Sequence, residues 1–179
     1  AINTDVPNLD NLILNGADAL ENLRIGPTQL TSLDITQNSE LKDLRIFGSL
    51  LTSLDVSSND KLEIFALTNT NTLTSNINFS NNVALTSVNL NGTTIEALTL
   101  EDKINLCNIE LANAAIDEVL LENLPSLSFG LNLLNSSIIN LEIDNTALQN
   151  IDASQINNLE ALDFRINFGL CFLSLPPVD

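Results

Sequence analysis

The feature that most constrains this chain is the recurrence of apolar residues every ten to twelve positions. Sixteen half-repeats, each opened by leucine or isoleucine, run from Leu9 to Leu175 and leave almost no sequence outside the pattern. A period this short, kept along the whole chain, predicts a stack of similar coils. The half-repeats begin at Leu9, Leu20, Leu30, Leu41, Leu51, Leu62, Leu73, Leu85, Ile95, Leu106, Ile116, Leu127, Ile138, Leu148, Leu159 and Leu170.

Nearly every half-repeat carries apolar residues at its positions one, four and six, as in Leu51, Leu54 and Val56. Positions four and six share one face of a short strand, whereas position five lies on the opposite face. Small polar residues such as SSND at 57–60 follow and favour turns. Because turns recur so often, no helix of three turns fits between them. Two half-repeats therefore close one coil of 20 to 23 residues, with strand-like or 3-10 segments on both sides.

Two longer segments carry a resemblance to a known family: LTSLDVSSNDKLEIFAL and LEIDNTALQNIDASQINNLEALDF. They resemble the nested 21-residue leucine-rich repeats, the Irreko type, of surface and secreted proteins of Bacteroidetes. The resemblance extends over nearly the whole chain. It implies a mostly β solenoid of about eight coils, with ten-residue halves on a concave parallel sheet and eleven-residue halves on the convex side. It also implies a secreted or cell-surface protein that acts in adhesion or partner binding.

The ends of a solenoid need protection, because they expose an apolar cross-section and open strand edges. We expect a single domain with a short helical or irregular N-terminal cap, a repeat region and a tail, at residues 1–8, 9–175 and 176–179. Three phenylalanines in the last two coils are expected to seal the C-terminal end: Phe164, Phe168 and Phe172. Pro176 and Pro177 are expected to end strand pairing.

The rhythm is irregular at three places. The half-repeats from Leu73 and Leu127 each carry an extra residue between their first two apolar positions, which predicts local bulges at Asn76 and Gly130. Strict alternation places the half-repeat from Ile138 on the convex side, whereas its ten-residue length and Asn145 favour the concave side. The side of each half-repeat beyond residue 137 is therefore left open.

Composition excludes several functions. Six basic against 23 acidic residues give a formal net charge of −17, which opposes nucleic acid and anionic membrane surfaces as partners. No run of about 18 apolar residues is present, so we expect no membrane insertion. Without histidine, the commonest catalytic base is missing, and no lysine stands in an S-x-x-K sequence. We therefore expect no enzymatic activity.

No resident cofactor or metal is expected. Zinc is disfavoured because Cys107 and Cys171 lack C-x-x-C partners, and their half-repeats are too far apart for a disulfide. Calcium is the stronger candidate, because Asp34 and Asp55 share position five of successive coils. The Gly-rich aspartate turns of repeat calcium sites are missing, however. Solvated carboxylates that keep the surface soluble are the favoured interpretation.

The best candidate binding surface lies on the ten-residue halves, where three of the six basic residues fall in two adjacent coils. One interpretation is a ladder of ion pairs between stacked strands. The other is a ligand-binding surface for another protein or, alternatively, for a polysaccharide, although no Trp or Tyr is available to stack on sugars. A stalk that binds nothing is a third possibility. The candidate residues are Asn22, Arg24, Lys42, Asp43, Arg45 and Phe47.

Overall fold

A computed structural model describes residues 1–176 of the chain. Within that range the chain forms thirteen short strands and no helix. Residues 1–176 therefore contain no helix that is long and apolar enough to span a membrane. The strands are β1 (Ile2–Thr4), β2 (Asn22–Ile25), β3 (Asp43–Phe47), β4 (Ile64–Thr68), β5 (Ser87–Asn89), β6 (Thr94–Glu101), β7 (Asn108–Glu110), β8 (Ala115–Leu124), β9 (Leu131–Asn132), β10 (Ser137–Thr146), β11 (Asn150–Asp152), β12 (Ala161–Arg165) and β13 (Phe172–Ser174).

One side of the coils carries a parallel sheet of seven strands in the order β1-β2-β3-β4-β5-β7-β9. The leucine rhythm sets its register, because position four of each half-repeat pairs with position four of the next half-repeat on the same side. Leu23 lies beside Leu44, and Leu44 lies beside Phe65. All three side chains are buried, whereas position five points outward. We call this the first sheet.

The other side carries a parallel sheet of four strands in the order β12-β10-β8-β6, which we call the second sheet. Leu98, Val119 and Leu141 form its matching inward row. The inward residues of both sides belong to one hydrophobic cluster, in which the rings of Phe65 and Phe79 meet edge to face at 5.0 Å. The predicted mostly β solenoid of about eight coils is confirmed.

The alternation between the two sides persists to the last coil. The half-repeat from Ile138 forms β10, which lies in the second sheet between β8 and β12. The concave interpretation suggested by its length and by Asn145 is therefore wrong. Asn145 lies at the end of β10 with a φ of 49°, and its Nδ2 donates to Asn123 Oδ1 at 2.7 Å. It thus closes a strand of the second sheet.

The second sheet begins only at β6, and the half-repeats before it on that side share a turn at position five that ends the extended segment. In the three preceding half-repeats on that side, an aspartate or asparagine at position five accepts a hydrogen bond from the backbone N–H two residues later, at 2.9 to 3.0 Å. Such a turn bends the backbone out of the extended conformation. At the same position β6 carries Thr99, which makes no such turn. The bent half-repeats have Asp34, Asp55 and Asn78 at this position.

A ladder of buried asparagines follows these turns. Asn38, Asn59 and Asn82 occupy the same place in successive coils, and each is at most 1% exposed. The amide of Asn59 donates to the carbonyl of Asn38 at 2.9 Å and to that of Ile35 at 3.1 Å. Each rung thereby donates a second hydrogen bond to buried carbonyl groups of the previous coil, which already accept one from the backbone.

Both ends differ from the predicted caps. Residues Ile2–Thr4 form β1, which adds a strand to the first sheet, so this part of the expected N-terminal cap is neither helical nor irregular. At the other end only Phe164 packs against the core, whereas Phe168 is 93% exposed and Phe172 is 55% exposed. The prediction that all three rings seal the last coils is wrong, because the side chains of Phe168 and Phe172 are exposed. Pro177 lies outside the described residues.

The extra residue in each long half-repeat is accommodated before the inward positions. Ile77 is buried as position four should be, and exposed Asn76 precedes it. In the other long half-repeat, Leu131 pairs with Ile109, and Gly130 lies against the backbone of Cys107. The predicted irregularities at Asn76 and Gly130 therefore fall outside the core rows.

Candidate functional site

The basic side chains divide into two groups. Within residues 1–176, four of the six have a carboxylate within 4.0 Å: Lys42, Arg45, Lys61 and Arg165. Arg24 and Lys103 have none in that part of the chain. On a protein of formal net charge −17, an unpaired cation is unusual, because carboxylates are plentiful. Each of the two unpaired cations marks a candidate site.

Arg24 lies on the outer face of the first sheet, at position five of its half-repeat. Its guanidinium carbon is 4.7 Å from the centre of the Phe47 ring, which comes from the neighbouring strand β3. A cation over an aromatic face at this distance gains about 0.5–1 kcal/mol at an exposed site. The Phe47 ring is itself half-buried. The pair is thus held together while the guanidinium donors remain free.

The other predicted residues surround this pair. Arg45 forms a fork with Asp43, with Nε 2.7 Å from Oδ1 and a second nitrogen 3.1 Å from Oδ2. Hydrogen bonding to Asp43 raises the pKa of Arg45 above its ordinary value. Lys42 Nζ donates to Glu21 Oε1 at 2.7 Å, and this hydrogen bond raises the pKa of Lys42 and lowers that of Glu21.

The structure therefore brings the predicted residues together, but in two roles. Lys42 forms an ion pair with Glu21 of the neighbouring coil, whereas Asp43 and Arg45 form an ion pair within β3. Arg24 and Phe47 contact each other, and neither takes part in an ion pair within residues 1–176. We call the six residues the Arg24 surface: Asn22, Arg24, Lys42, Asp43, Arg45 and Phe47.

Two hollows adjoin Arg24. The larger has a volume of about 430 Å³, and the smaller has a volume of about 210 Å³. The smaller places Asn22 and Asp43 beside the guanidinium. The larger is lined by Asn3, Thr4, Asp5, Arg24, Gly26, Pro27 and Phe47. Asn3 and Asp5 belong to the segment interpreted from sequence as a cap, which is why they were missed.

Lys103 is the second unpaired cation. It occupies the next rung of the asparagine ladder, 21 residues after Asn82, and it is only 4% exposed. Its Nζ makes one long hydrogen bond, to the carbonyl of Ser80 at 3.4 Å. Burial lowers its pKa, and the nearby charges of Asp102 and Glu101 oppose that shift. The sequence signal was available, because Asn38, Asn59 and Asn82 precede Lys103 at a spacing of 21 to 23 residues.

Lys103 lines a cavity of about 560 Å³. The cavity lies between the bent half-repeat that begins at Leu73 and the strand β6, where the irregular side of the solenoid becomes a sheet. We call it the Lys103 cavity. Its walls are Asn76, Ile77, Asn78, Phe79, Ser80, Val83, Ala97, Thr99, Glu101, Asp102 and Lys103.

Residues 1–176 hold no group of three His, Cys, Asp or Glu side chains arranged to ligate a metal ion. Cys107 and Cys171 are both exposed, free thiols. The stacked aspartates considered for calcium are used differently. Thr36 donates its hydroxyl and its N–H to Asp34, at 2.7 and 3.0 Å, and this lowers the pKa of the carboxyl. That carboxylate closes a turn.

Comparison with known proteins adds little. No family model and no curated protein matches the chain. Among solved structures it is similar to the functional domain of InlJ from Listeria monocytogenes, which includes a cysteine ladder; the identity is 18% and the TM-score is 0.31. The similarity covers 91% of this chain and 48% of that one, so this chain spans about half of its length. At this TM-score the likeness carries no argument about fold or function.

Proposed function

We propose that this chain is a non-enzymatic recognition module of a secreted or cell-surface bacterial protein, and that it binds another protein through the Arg24 surface. The observation that carries the proposal is the exposed guanidinium of Arg24, held on Phe47 without a carboxylate partner in residues 1–176. Arginine and aromatic side chains are enriched in the energetic centres of protein interfaces. The flat row of outward side chains on the first sheet extends the contact area.

The chemistry of Arg24 indicates what the partner supplies. A guanidinium presents a planar fork of donors that matches a carboxylate. The flanking Arg45 is already satisfied by Asp43, so Arg24 is the free donor group of the surface. We therefore expect the partner to place an acidic side chain, or a terminal carboxylate, over Arg24.

Partner capture tests the proposal. The whole chain, immobilised, is exposed to surface proteins of the source cells and of their environment, and each retained protein is quantified by mass spectrometry. We expect the unmodified chain to retain at least one protein. The amount of that protein retained should fall at least tenfold with Arg24→Ala and with Phe47→Ala, because loss of a central contact costs about 1–2 kcal/mol or more of binding free energy.

The matched control is Lys61→Ala. Lys61 is a basic residue paired with Glu40, and it lies outside the Arg24 surface. It should retain the same partner. All variants should remain folded, with Arg24→Ala and Phe47→Ala lowering the free energy of unfolding by no more than about 1–2 kcal/mol, because they remove the cation–π contact and part of a half-buried ring. If every retained protein binds Arg24→Ala as well as the unmodified chain, the Arg24 surface is not the binding site.

A polysaccharide is the second candidate partner. The observation that favours it is the smaller hollow beside Arg24, in which the amides of Asn3 and Asn22 meet the carboxylate of Asp43. Such groups hydrogen-bond to hydroxyls. A glycan array distinguishes the two partners: glycan hits abolished by Arg24→Ala combined with Arg45→Ala support the polysaccharide, whereas a captured protein without glycan hits supports the protein.

A further inference from the structure

We propose that the Lys103 cavity is a second binding site, distinct from the Arg24 surface, and that it holds a neutral sugar unit. The first observation is Lys103 itself. A buried ammonium group has three donors and is costly to remove from water unless acceptors satisfy it. Here one acceptor is present, the carbonyl of Ser80 at 3.4 Å.

The asparagine ladder shows which residue a purely structural role would favour at position 103. At the two preceding rungs, the amide of asparagine reaches the carbonyl of the previous rung at 2.8 to 2.9 Å. An asparagine at position 103 would continue the ladder. The lysine side chain is longer and instead reaches Ser80 on the cavity wall. A structural role alone favours asparagine, because asparagine brings no buried charge.

The edge of β6 supplies further hydrogen-bonding groups. β6 is the terminal strand of the second sheet, and its backbone groups point alternately toward β8 and toward the cavity. Ala97 N–H points to the cavity side and donates to Asn76 Oδ1 at 2.9 Å. By this alternation Thr99 and Glu101 present their backbone groups on the same side. The cavity wall therefore offers both donors and acceptors.

Charge restricts the ligand class. Lys103 contributes one positive charge to the lining, and Glu101 and Asp102 contribute two negative charges, so the cavity is net negative. Anions such as phosphate are disfavoured, although the ammonium needs an acceptor. A neutral ligand with many hydroxyls satisfies both conditions, because a hydroxyl accepts from Lys103 and donates to a carboxylate.

Shape and apolar surface agree with a sugar. The volume of about 560 Å³ falls within the usual range of small-molecule sites, about 300–1,000 Å³. Ile77 and Phe79 are buried beneath the cavity, and Val83 is 59% exposed at its rim. The apolar surface for the C–H face of a sugar ring therefore comes mainly from Val83, because Ile77 and Phe79 are almost fully buried. The polar groups lie around it.

A titration with defined sugars, followed by two-dimensional amide NMR of the whole chain, tests this proposal. The probes are glucose, galactose, mannose, xylose, N-acetylglucosamine and the β-1,4-linked disaccharides of glucose, xylose and N-acetylglucosamine, with glucuronic acid as the anionic probe. We expect at least one neutral probe to give saturable shifts of the amides of residues 76–83 and 97–103. Glucuronic acid should not saturate.

Two variants assign the site. Lys103→Met keeps the length of the side chain and removes the ammonium, and it should weaken binding at least tenfold. Lys61→Met is the matched control at an exposed lysine and should bind as the unmodified chain does. Because Lys103→Met alters a buried position, Thr99→Val serves as a second variant, on the exposed part of the wall, and should weaken binding several-fold.

The proposal is overturned if no neutral probe shifts these amides, if glucuronic acid alone saturates, or if both variants bind as tightly as the unmodified chain. Shifts confined to residues 22–47 would place the sugar on the Arg24 surface and would likewise overturn it. Loss of partner capture by Arg24→Ala does not bear on this result, so the two proposals fail independently.

Discussion

Replacing Asn82 by alanine is expected to lower the free energy of unfolding by about 3 kcal/mol. Asn82 is fully buried, and its amide donates to the carbonyls of Val56 at 3.0 Å and Asn59 at 2.8 Å. Alanine removes one of the two hydrogen bonds that each carbonyl accepts, because Asn59 N–H still donates to Val56 O and Leu62 N–H still donates to Asn59 O. Each lost hydrogen bond costs about 0.5–1.5 kcal/mol. The substitution also removes volume between two stacked coils. Urea unfolding followed by circular dichroism measures the change.

The neighbouring Asn81 is the matched control. Its amide also donates to a backbone carbonyl, that of Ser57 at 3.0 Å, but it is exposed. Water can replace this hydrogen bond, so Asn81→Ala should cost no more than about 0.5 kcal/mol. Equal effects of the two substitutions would show that the buried ladder does not stabilise the coils.

Gly130→Ala is expected to lower the free energy of unfolding by about 3 kcal/mol, because the added β-carbon collides with the backbone of the neighbouring coil. A β-carbon at position 130 would collide with the carbonyl oxygen of Cys107 and would lie 2.8 Å from its carbonyl carbon. The same region holds the hydrogen bond from Ile109 N–H to Gly130 O, at 2.5 Å. Relief of the collision therefore moves the strand pairing between β7 and β9. The melting temperature and amide exchange at residues 107–110 report the change.

Gly169→Ala is the control for this substitution. A β-carbon there would lie 3.7 Å from the carbonyl oxygens of Ala147 and Leu148, which is an ordinary contact distance. We expect Gly169→Ala to change the free energy of unfolding by no more than about 0.5 kcal/mol. If Gly130→Ala is equally mild, the close approach of the two coils at Gly130 is not maintained in solution.

The core and the stacking of coils were predictable from sequence, because the apolar pattern is repeated sixteen times along the chain. Position four and position six must lie on one face whatever the conformation of the turns between them. A shift of one residue would expose every leucine of a strand. This is why Leu23, Leu44 and Phe65 lie in register as the rhythm requires.

The change from bent half-repeats to the long strands of the second sheet was not predicted, since polar side chains at position five limit how far a strand continues. The same turn ends the short strands β5, β9 and β11, at Asn89, Asn132 and Asp152. Asp34 and Asp55 close turns on the residues two positions later, whereas Thr99 and Leu120 allow β6 and β8 to continue. Apolar spacing is the same in both cases. The distinction is a local competition between side-chain and backbone hydrogen bonds.

The two candidate sites differ in how far they can be predicted from the sequence. Arg24 and Phe47 project from neighbouring strands, so the register brings them together. Lys103 was overlooked because its half-repeat looks like a polar turn. Its importance follows only from the ladder that Asn59 and Asn82 establish before it. Polar residues that repeat with the period of the coil are therefore informative about the interior.

The central claim is that half-repeats alternate between two sides of one stack as far as the last coil, and NMR contacts between backbone protons test it most directly. The account predicts contacts of Leu141 with Val119 and with Leu162, its register partners on β8 and β12. Contacts of Leu141 with Leu131 and Asn132 of β9 would instead place β10 in the first sheet and contradict the alternation.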